Sequence, residues 1–505
     1  MMDSKQGSSL TYGVRRTESI TRSYWGAAIK LSLAISQKQE PHLTSLNRYG
    51  EMATLRMGNR TWVMLNSNRV VQEIIAKRAN ITGERPYLPV ASGLTSRHKR
   101  TVLRQTKEWS EGRRVMHHLL SGTALKNYEK VQDLESIQLL ANYLERPNQW
   151  YLHHYRYAYS VIHRIVVGER PRQTQKQLDD FQRVTVEFIR GMNTSLVDFF
   201  PMLANLPKLL QPWRRHWEIT GQDHYNVFKA WWAPIRHDIT EGIAPPSFVK
   251  DVLLHTSTKF SRDDEEAMYL ATSIVAAGSD NVRMTLNAFV MAALCYPETM
   301  QRARDEIDSI CGNTAERLPG LKDMKSLPYL SAMIKEGLRW RPTVPLIPQH
   351  HLTQDLEFET YRFPAGTDFV INSLAVCQEF EDAAEFRPER WLDGKEDSVT
   401  QGLWQFGGGR RVCVGYKIAQ QELFLAYSRL LYCFDFAANG QFDSRRLRHD
   451  AVDEPFPVKI MIRDKKLNYL LPWIHLASAT IYTVLVLTAM QIGLATDHLS
   501  DSVTF

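Results

Sequence analysis

No two cysteines of this chain stand in a CxxC pair. The five of them, Cys295, Cys311, Cys377, Cys413 and Cys433, are odd in number and widely spaced. That excludes a disulfide framework and a structural zinc site, and it suits reduced thiols on the cytosolic side of any membrane. Also missing are internal repeats, low-complexity tracts and Ser/Gly/Pro-rich linkers. A length of 505 residues would allow about three domains, but without linkers one large domain with tails is expected. The basic excess, +7 at pH 7, is scattered, and there is no basic arm, zinc-finger spacing or dense aromatic-basic stretch. No nucleic-acid partner is therefore expected.

The first 30 residues contain no apolar run long enough for a signal peptide or an N-terminal anchor. Residues 467–496 contrast with them, because they contain no Asp, Glu, Lys or Arg. Such a run is long enough to cross a bilayer core of about 30 Å as a helix. The alternatives are a helix packed on the domain, or a chain end set wrongly by gene assembly.

Most of what is present reads as helix. Residues 51–67 form two short strands around Gly58-Asn59, a favoured hairpin turn, and Asn66 or Ser67 then caps a helix. From about 107 to 340, apolar residues recur at three- and four-residue spacing. The longest helix is expected over Asp263 to Cys295, with acidic residues in its first turn and Gly278 in its middle. A further helix ends near Arg339. Strand-like segments follow through "LEFETYRFPAGTDFVINSLAVC", then an irregular "EFRPERWLDG", a last helix "YKIAQQELFLAYSRLLYCF" and an edge strand "FPVKIMIRD". The fold class is mainly α with a smaller β region.

Chemistry concentrates in "FGGGRRVCVG", residues 406–415. A nucleotide loop would need GK[ST] or GxGxxG, and neither is there. A lone cysteine commonly packs as a small hydrophobe. Here, however, Gly407 to Gly409 would let backbone approach a flat ligand, while a helix N-terminus and two arginines favour a thiolate at Cys413. A phosphate loop, an incidental thiol and a metal-bound sulfur are the three readings.

The segment resembles the haem signature FxxGxRxCxG of the cytochrome P450 family, matched by Phe406, Gly409, Arg411, Cys413 and Gly415. The resemblance implies a single haem-binding domain over residues 43–465, between an N-terminal segment 1–42 without a clear anchor and an extension 466–505. It makes Cys413 the axial ligand of haem b iron. "EGLR" supplies Glu336 and Arg339 on one helix face, and "FRPERW" supplies Arg390, the three members of the family's structural triad. "WSEGR" supplies Trp109 and Arg113, which with Arg411 would bind haem propionates. His350 stands where the family often has another propionate contact, although His351 adjoins it.

The largest departure is "AGSDN" where the family has [AG]Gx[DE]T. Ala277 and Gly278 are small enough to leave room for oxygen and substrate, with a local opening of the helix, unless Gly278 is simply a glycine packed in a helix. Asp280, in a mostly apolar setting, is a candidate proton source. Asn281 replaces the usual threonine and is expected to order a water that carries the proton.

The resemblance further implies a monooxygenase that inserts one atom of O2 into a lipophilic small molecule, with electrons from NADPH through a flavoprotein reductase. Arg410 and Lys417 are candidate reductase contacts. Residues 86–107, 190–212 and 343–348 would meet substrate. The wording of the motifs is most similar to fungal members that decorate secondary metabolites. Arg463, Lys465 and Lys466 before the apolar segment, and Asp497 and Asp501 after it, predict an endoplasmic reticulum membrane protein with a cytosolic catalytic domain. The missing threonine leaves two alternatives: a haem-thiolate isomerase or dehydratase, or a non-catalytic haem-binding protein.

Overall fold

In the computed structural model, residues 50–254, 260–313, 317–394, 396–443, 447–452 and 455–463 are described. The apolar segment 467–496 and the N-terminal segment 1–42 lie outside them. Among the described residues no helix is long and apolar enough to cross a membrane.

The described residues open with the hairpin the sequence signals, β1 (Met52–Met57) and β2 (Arg60–Leu65). Gly58 turns it at φ +65°, and a Cβ there would stand 2.6 Å from the Phe199 carbonyl oxygen, so conformation and space both demand glycine. Ser67, not Asn66, caps the next turn, its hydroxyl accepting from the Val70 N–H at 3.3 Å. The α-helix there is only Asn68–Val71 and continues as a π turn over Gln72–Ala76.

The helical body follows: α1 (Thr106–Leu120), α2 (Ala124–Glu145), α3 (Trp150–Val167), α4 (Gln175–Gly191), α5 (Arg214–Thr240), α6 (Asp264–Cys295), α7 (Pro297–Cys311) and α8 (Pro328–Trp340). Asp263 caps α6 by accepting from the Glu266 N–H at 2.7 Å. α6 is the central element, buried along most of its length and packed most extensively on α3.

After α8 come β3 (His350–His351), β4 (Leu356–Phe358), β5 (Tyr361–Phe363) and β6 (Asp368–Ile371). β6 lies parallel to β2, with Val63 opposite Phe369, and joins β3 to the N-terminal hairpin in the order β1-β2-β6-β3. "SLAVC" is not a strand, as its β-rich wording suggests, but a short helix over Ser373–Cys377. The Asn372 side chain ends the strand and caps that helix by accepting from the Ala375 N–H at 3.2 Å. The last long helix, α9 (Tyr416–Cys433), leads into a two-stranded sheet of β7 (Phe434–Ala438) and β8 (Val458–Ile462). The fold is mainly α with small sheets.

Candidate active site

The 406–415 loop is closed on itself: the Cys413 N–H donates to the Phe406 carbonyl at 2.7 Å, and the Gly407 N–H to that of Trp404 at 2.8 Å. Gly407 and Gly409 hold φ values of +72° and +57°. Two of the glycines also permit close approach to protein. A Cβ on Gly409 would lie 2.5 Å from the Ile75 carbonyl oxygen, and one on Gly408 2.9 Å from the Trp404 ring. The loop is thereby pressed onto the π turn that follows β2.

Cys413 is exposed, yet protein surrounds its sulfur closely enough that burial pushes the thiol pKa up, against the pull of the Gly415 N–H and the Arg113 guanidinium. Cys413 thus combines an exposed position with a densely surrounded sulfur. The local electrostatics expected to favour a thiolate act in the right direction but are outweighed by burial; a coordinated metal ion would remove the proton outright.

A cluster of cations and one indole stands near this sulfur. The Arg411 guanidinium lies 4.0 Å over the Trp109 ring and that of Arg113 5.6 Å from it. Arg411 Nε donates to the Gly83 carbonyl at 2.8 Å and Nη2 to the Thr106 hydroxyl at 3.2 Å, while buried Nη1 has no partner. His350 Nδ1–H donates to the Thr82 carbonyl at 2.9 Å, and its Nε2 is likewise buried without a partner. Burial, aided by Arg85 and Arg411, takes the His350 pKa down to about 3. Burial also takes Arg411 down to about 10 and Arg85 to about 9. His351 is committed elsewhere, to Asp368 at 2.7 Å.

These residues fit haem. A buried guanidinium with a free N–H beside an indole is a donor set for a carboxylate, and the repulsion among the arginines is relieved by an anionic group. His350 Nε2 could join as a donor after taking up a proton, which an adjacent carboxylate would favour.

The Glu336–Arg339–Arg390 triad is assembled and buried. Arg339 donates to both Glu336 oxygens, at 2.8 and 2.7 Å, and Arg390 Nε to Oε1 at 3.1 Å. Two further donors escaped the motif: the Trp391 indole at 2.9 Å and the Arg387 N–H at 2.9 Å. The remaining guanidinium hydrogens of Arg339 hold the carbonyls of Cys377, Ala383 and Glu385, so the triad clamps the chain from 377 to 391.

On α6 the sequence expectations need correction. The helix is continuous α from Asp264 to Cys295, without the local opening expected at Gly278. Gly278 packs against α3, where a Cβ would meet Ile162 Cγ1 at 2.8 Å, so its small size serves helix packing. Ala277, by contrast, is exposed in mid-helix between buried Ala276 and half-buried Gly278. Asp280 is not in an apolar setting: Arg283 Nε and Nη2 donate to its Oδ1 at 2.9 and 2.8 Å, both residues being buried. Asn281 Nδ2 donates to the Ala277 carbonyl at 3.0 Å, and its Oδ1 is buried without a partner.

The family model described as Cytochrome P450 matches residues 24–455. The chain belongs to the cytochrome P450 family. Among cytochrome P450 monooxygenases it is 31% identical to fogE of Aspergillus ruber over 77% of this chain and 74% of that one. It is 30% identical to virE of Hypocrea virens, over 80% and 76%. Two zebra fish cytochrome P450 structures, one with abiraterone and one with progesterone, align at TM-scores of 0.65 and 0.67. They cover 84% of this chain and 100% and 99% of theirs, at 21% and 23% identity, and establish the P450 fold. By family the protein is a haem-thiolate monooxygenase, an oxidoreductase.

Proposed function

We propose that this P450 hydroxylates a lipophilic small molecule in fungal secondary metabolism, with Cys413 as the residue that would bind the iron of haem b. Bound there, haem would supply the redox chemistry that places one atom of O2 in a C–H bond and reduces the other to water, using two electrons from NADPH through a flavoprotein reductase. Trp109, Arg113, Arg411 and His350 would hold its carboxylates. Phe406, Gly409 and Gly415 shape the loop that presents the sulfur, and the Glu336 triad fixes the segment leading to it. The observation that carries this reading is the unpartnered Nη1 of Arg411, whose guanidinium lies over Trp109 two residues before the exposed Cys413.

Ala277 gives substrate a place on α6. Asn281 uses its amide N–H on the Ala277 carbonyl and keeps Oδ1 to hold a water. Both Arg283 bonds go to Asp280 Oδ1, so Oδ2 is the atom that would take up a proton from solvent and pass it to that water. Arg410 and Lys417, beside the thiolate loop, would meet an acidic reductase face. Residues 43–465 form the catalytic domain, and the apolar C-terminal segment would hold it at the endoplasmic reticulum membrane.

Coexpression with a reductase in a host that makes candidate precursors, under 18O2, tests the activity. A product heavier by one labelled oxygen is expected; product formed without reductase or without label contradicts it.

A further inference from the structure

The loop that follows the short helix Pro89–Leu94 carries one guanidinium into the protein where no carboxylate meets it. Arg100 is 5% exposed. Its guanidinium lies 3.9 Å over Phe188 of α4 and 4.9 Å over Phe228 of α5. Nη2 donates to His224 Nδ1 at 3.2 Å, and Nε, buried, has no partner. Burial takes His224 down to about 4, so this neutral imidazole cannot balance the charge. The other His224 nitrogen faces Glu187 at 3.3 Å, but that carboxylate is exposed and also paired with Arg183. Among the described residues no carboxylate forms an ion pair with Arg100.

A second unsatisfied group lies close by. Tyr269 of α6 is 1% exposed, its hydroxyl has no partner, and its ring packs edge-on to Phe228 at 5.7 Å. The two groups interact electrostatically. Tyr269 precedes the accessible Ala277 by two helical turns, about 12 Å along the axis, and the partly accessible Ser273 lies between them. A buried cation without a counter-ion is costly to keep, and two unpaired donors side by side lack a common acceptor. Cation–π contact with Phe188 and Phe228 offsets only part of that cost.

We propose that Arg100, with the Tyr269 hydroxyl, recognises an oxyanion on the substrate, a carboxylate above all, so that the molecule oxidised has an apolar body and one acidic end. This rests on the monooxygenase reading and names its substrate class. In binding, the carboxylate would accept from Arg100 Nε and the Tyr269 O–H and supply the missing negative charge.

The test uses haem-loaded protein whose ferrous carbonyl spectrum is first shown to be that of a thiolate complex, so that failure of the haem reading is seen separately. Dodecanoate, its methyl ester and dodecanol are titrated, with perturbation of the Soret band and thermal shift as readouts. Wild type is expected to bind the carboxylate at least about tenfold more tightly than the alcohol. R100M should abolish that preference while leaving the melting temperature unchanged or raised, because it removes an unpaired buried charge. R100K should keep part of the preference, and Y269F should weaken it without loss of fold. A wild type that does not prefer the carboxylate overturns the proposal. So does an R100M or R100K protein that keeps the full preference. An R100M that fails to fold, or melts lower while R100K and Y269F leave the preference intact, assigns Arg100 to packing alone and also overturns it.

Discussion

The guanidinium of Arg411 lies over the indole of Trp109, 4.0 Å from the ring centroid, with one of its nitrogens buried and unpartnered. The two residues are 302 positions apart in sequence; Trp109 comes from a WxxxR pattern that is weak alone, and Arg411 from the specific signature around Cys413. Their stacking joins α1 to the cysteine loop.

That pairing predicts how haem is retained. R411Q keeps much of the shape but loses the charge, and H350A removes the second unpartnered nitrogen. Purified R411Q is expected to hold at least about tenfold less haem at equilibrium, as a lost charge-assisted hydrogen bond implies, with H350A less affected. The haem-to-protein absorbance ratio during competition with apomyoglobin measures it.

Glu336 is the anion on which two buried arginines depend. E336Q should destabilise the protein by about 3–5 kcal/mol, because Arg339 and Arg390 lose their counter-charge in the interior. A lower urea midpoint for loss of the Soret band is the expected result.

Gly278 sets the spacing of α3 and α6. Alanine is the better helix former by about 1 kcal/mol, but its Cβ would stand 2.8 Å from Ile162 Cγ1. Overpacking of about 1–3 kcal/mol should win, so G278A lowers stability. Added to I162A it should cost less than on its own, and a double-mutant cycle in urea gives the sign of the coupling.

Asp198 gives the pH dependence. Its carboxylate accepts from the Val90 N–H at 2.8 Å and the Ala91 N–H at 3.2 Å, yet burial raises its pKa to about 6, against about 3.9 in the unfolded chain. The folded state therefore binds the proton more tightly, and this group's contribution to stability falls as pH rises from about 4 to about 6. Relative to D198N, wild type should lose about 1–3 kcal/mol across that window. Parallel denaturation of the two proteins at pH 4 and pH 7 measures it.

Asn281 governs how reducing equivalents divide. N281A should shift the ratio of peroxide to product by about tenfold toward peroxide, the lower part of what a positioned proton path contributes. Unchanged coupling would remove Asn281 from the mechanism.

Much of this site was legible in the sequence because its markers are local. Cys413 sits in a loop whose glycines and helix start are contiguous, Glu336 and Arg339 are three apart on one helix, and Asp263 caps α6 within its own turn. What was not legible depends on distant partners. That Gly278 packs on Ile162, that Gly409 presses on Ile75, and that Asp280 lies against Arg283 with the Asp450 and Ala451 carbonyls beyond it are facts of packing. Trp391 follows Arg390 directly and could have been suspected as a donor, but no spacing rule connects an indole to Glu336. The amide of Asn281 finds the carbonyl one turn back, a local bond that a substituted motif position gives no reason to expect.

The central claim is that the Cys413 sulfur binds haem iron as a thiolate. The ferrous carbonyl difference spectrum of the purified holoprotein tests it most directly. Wild type should give the red-shifted Soret band of thiolate ligation, and C413S should lose it. A wild-type spectrum without that band, or a C413S spectrum that retains it, contradicts the account.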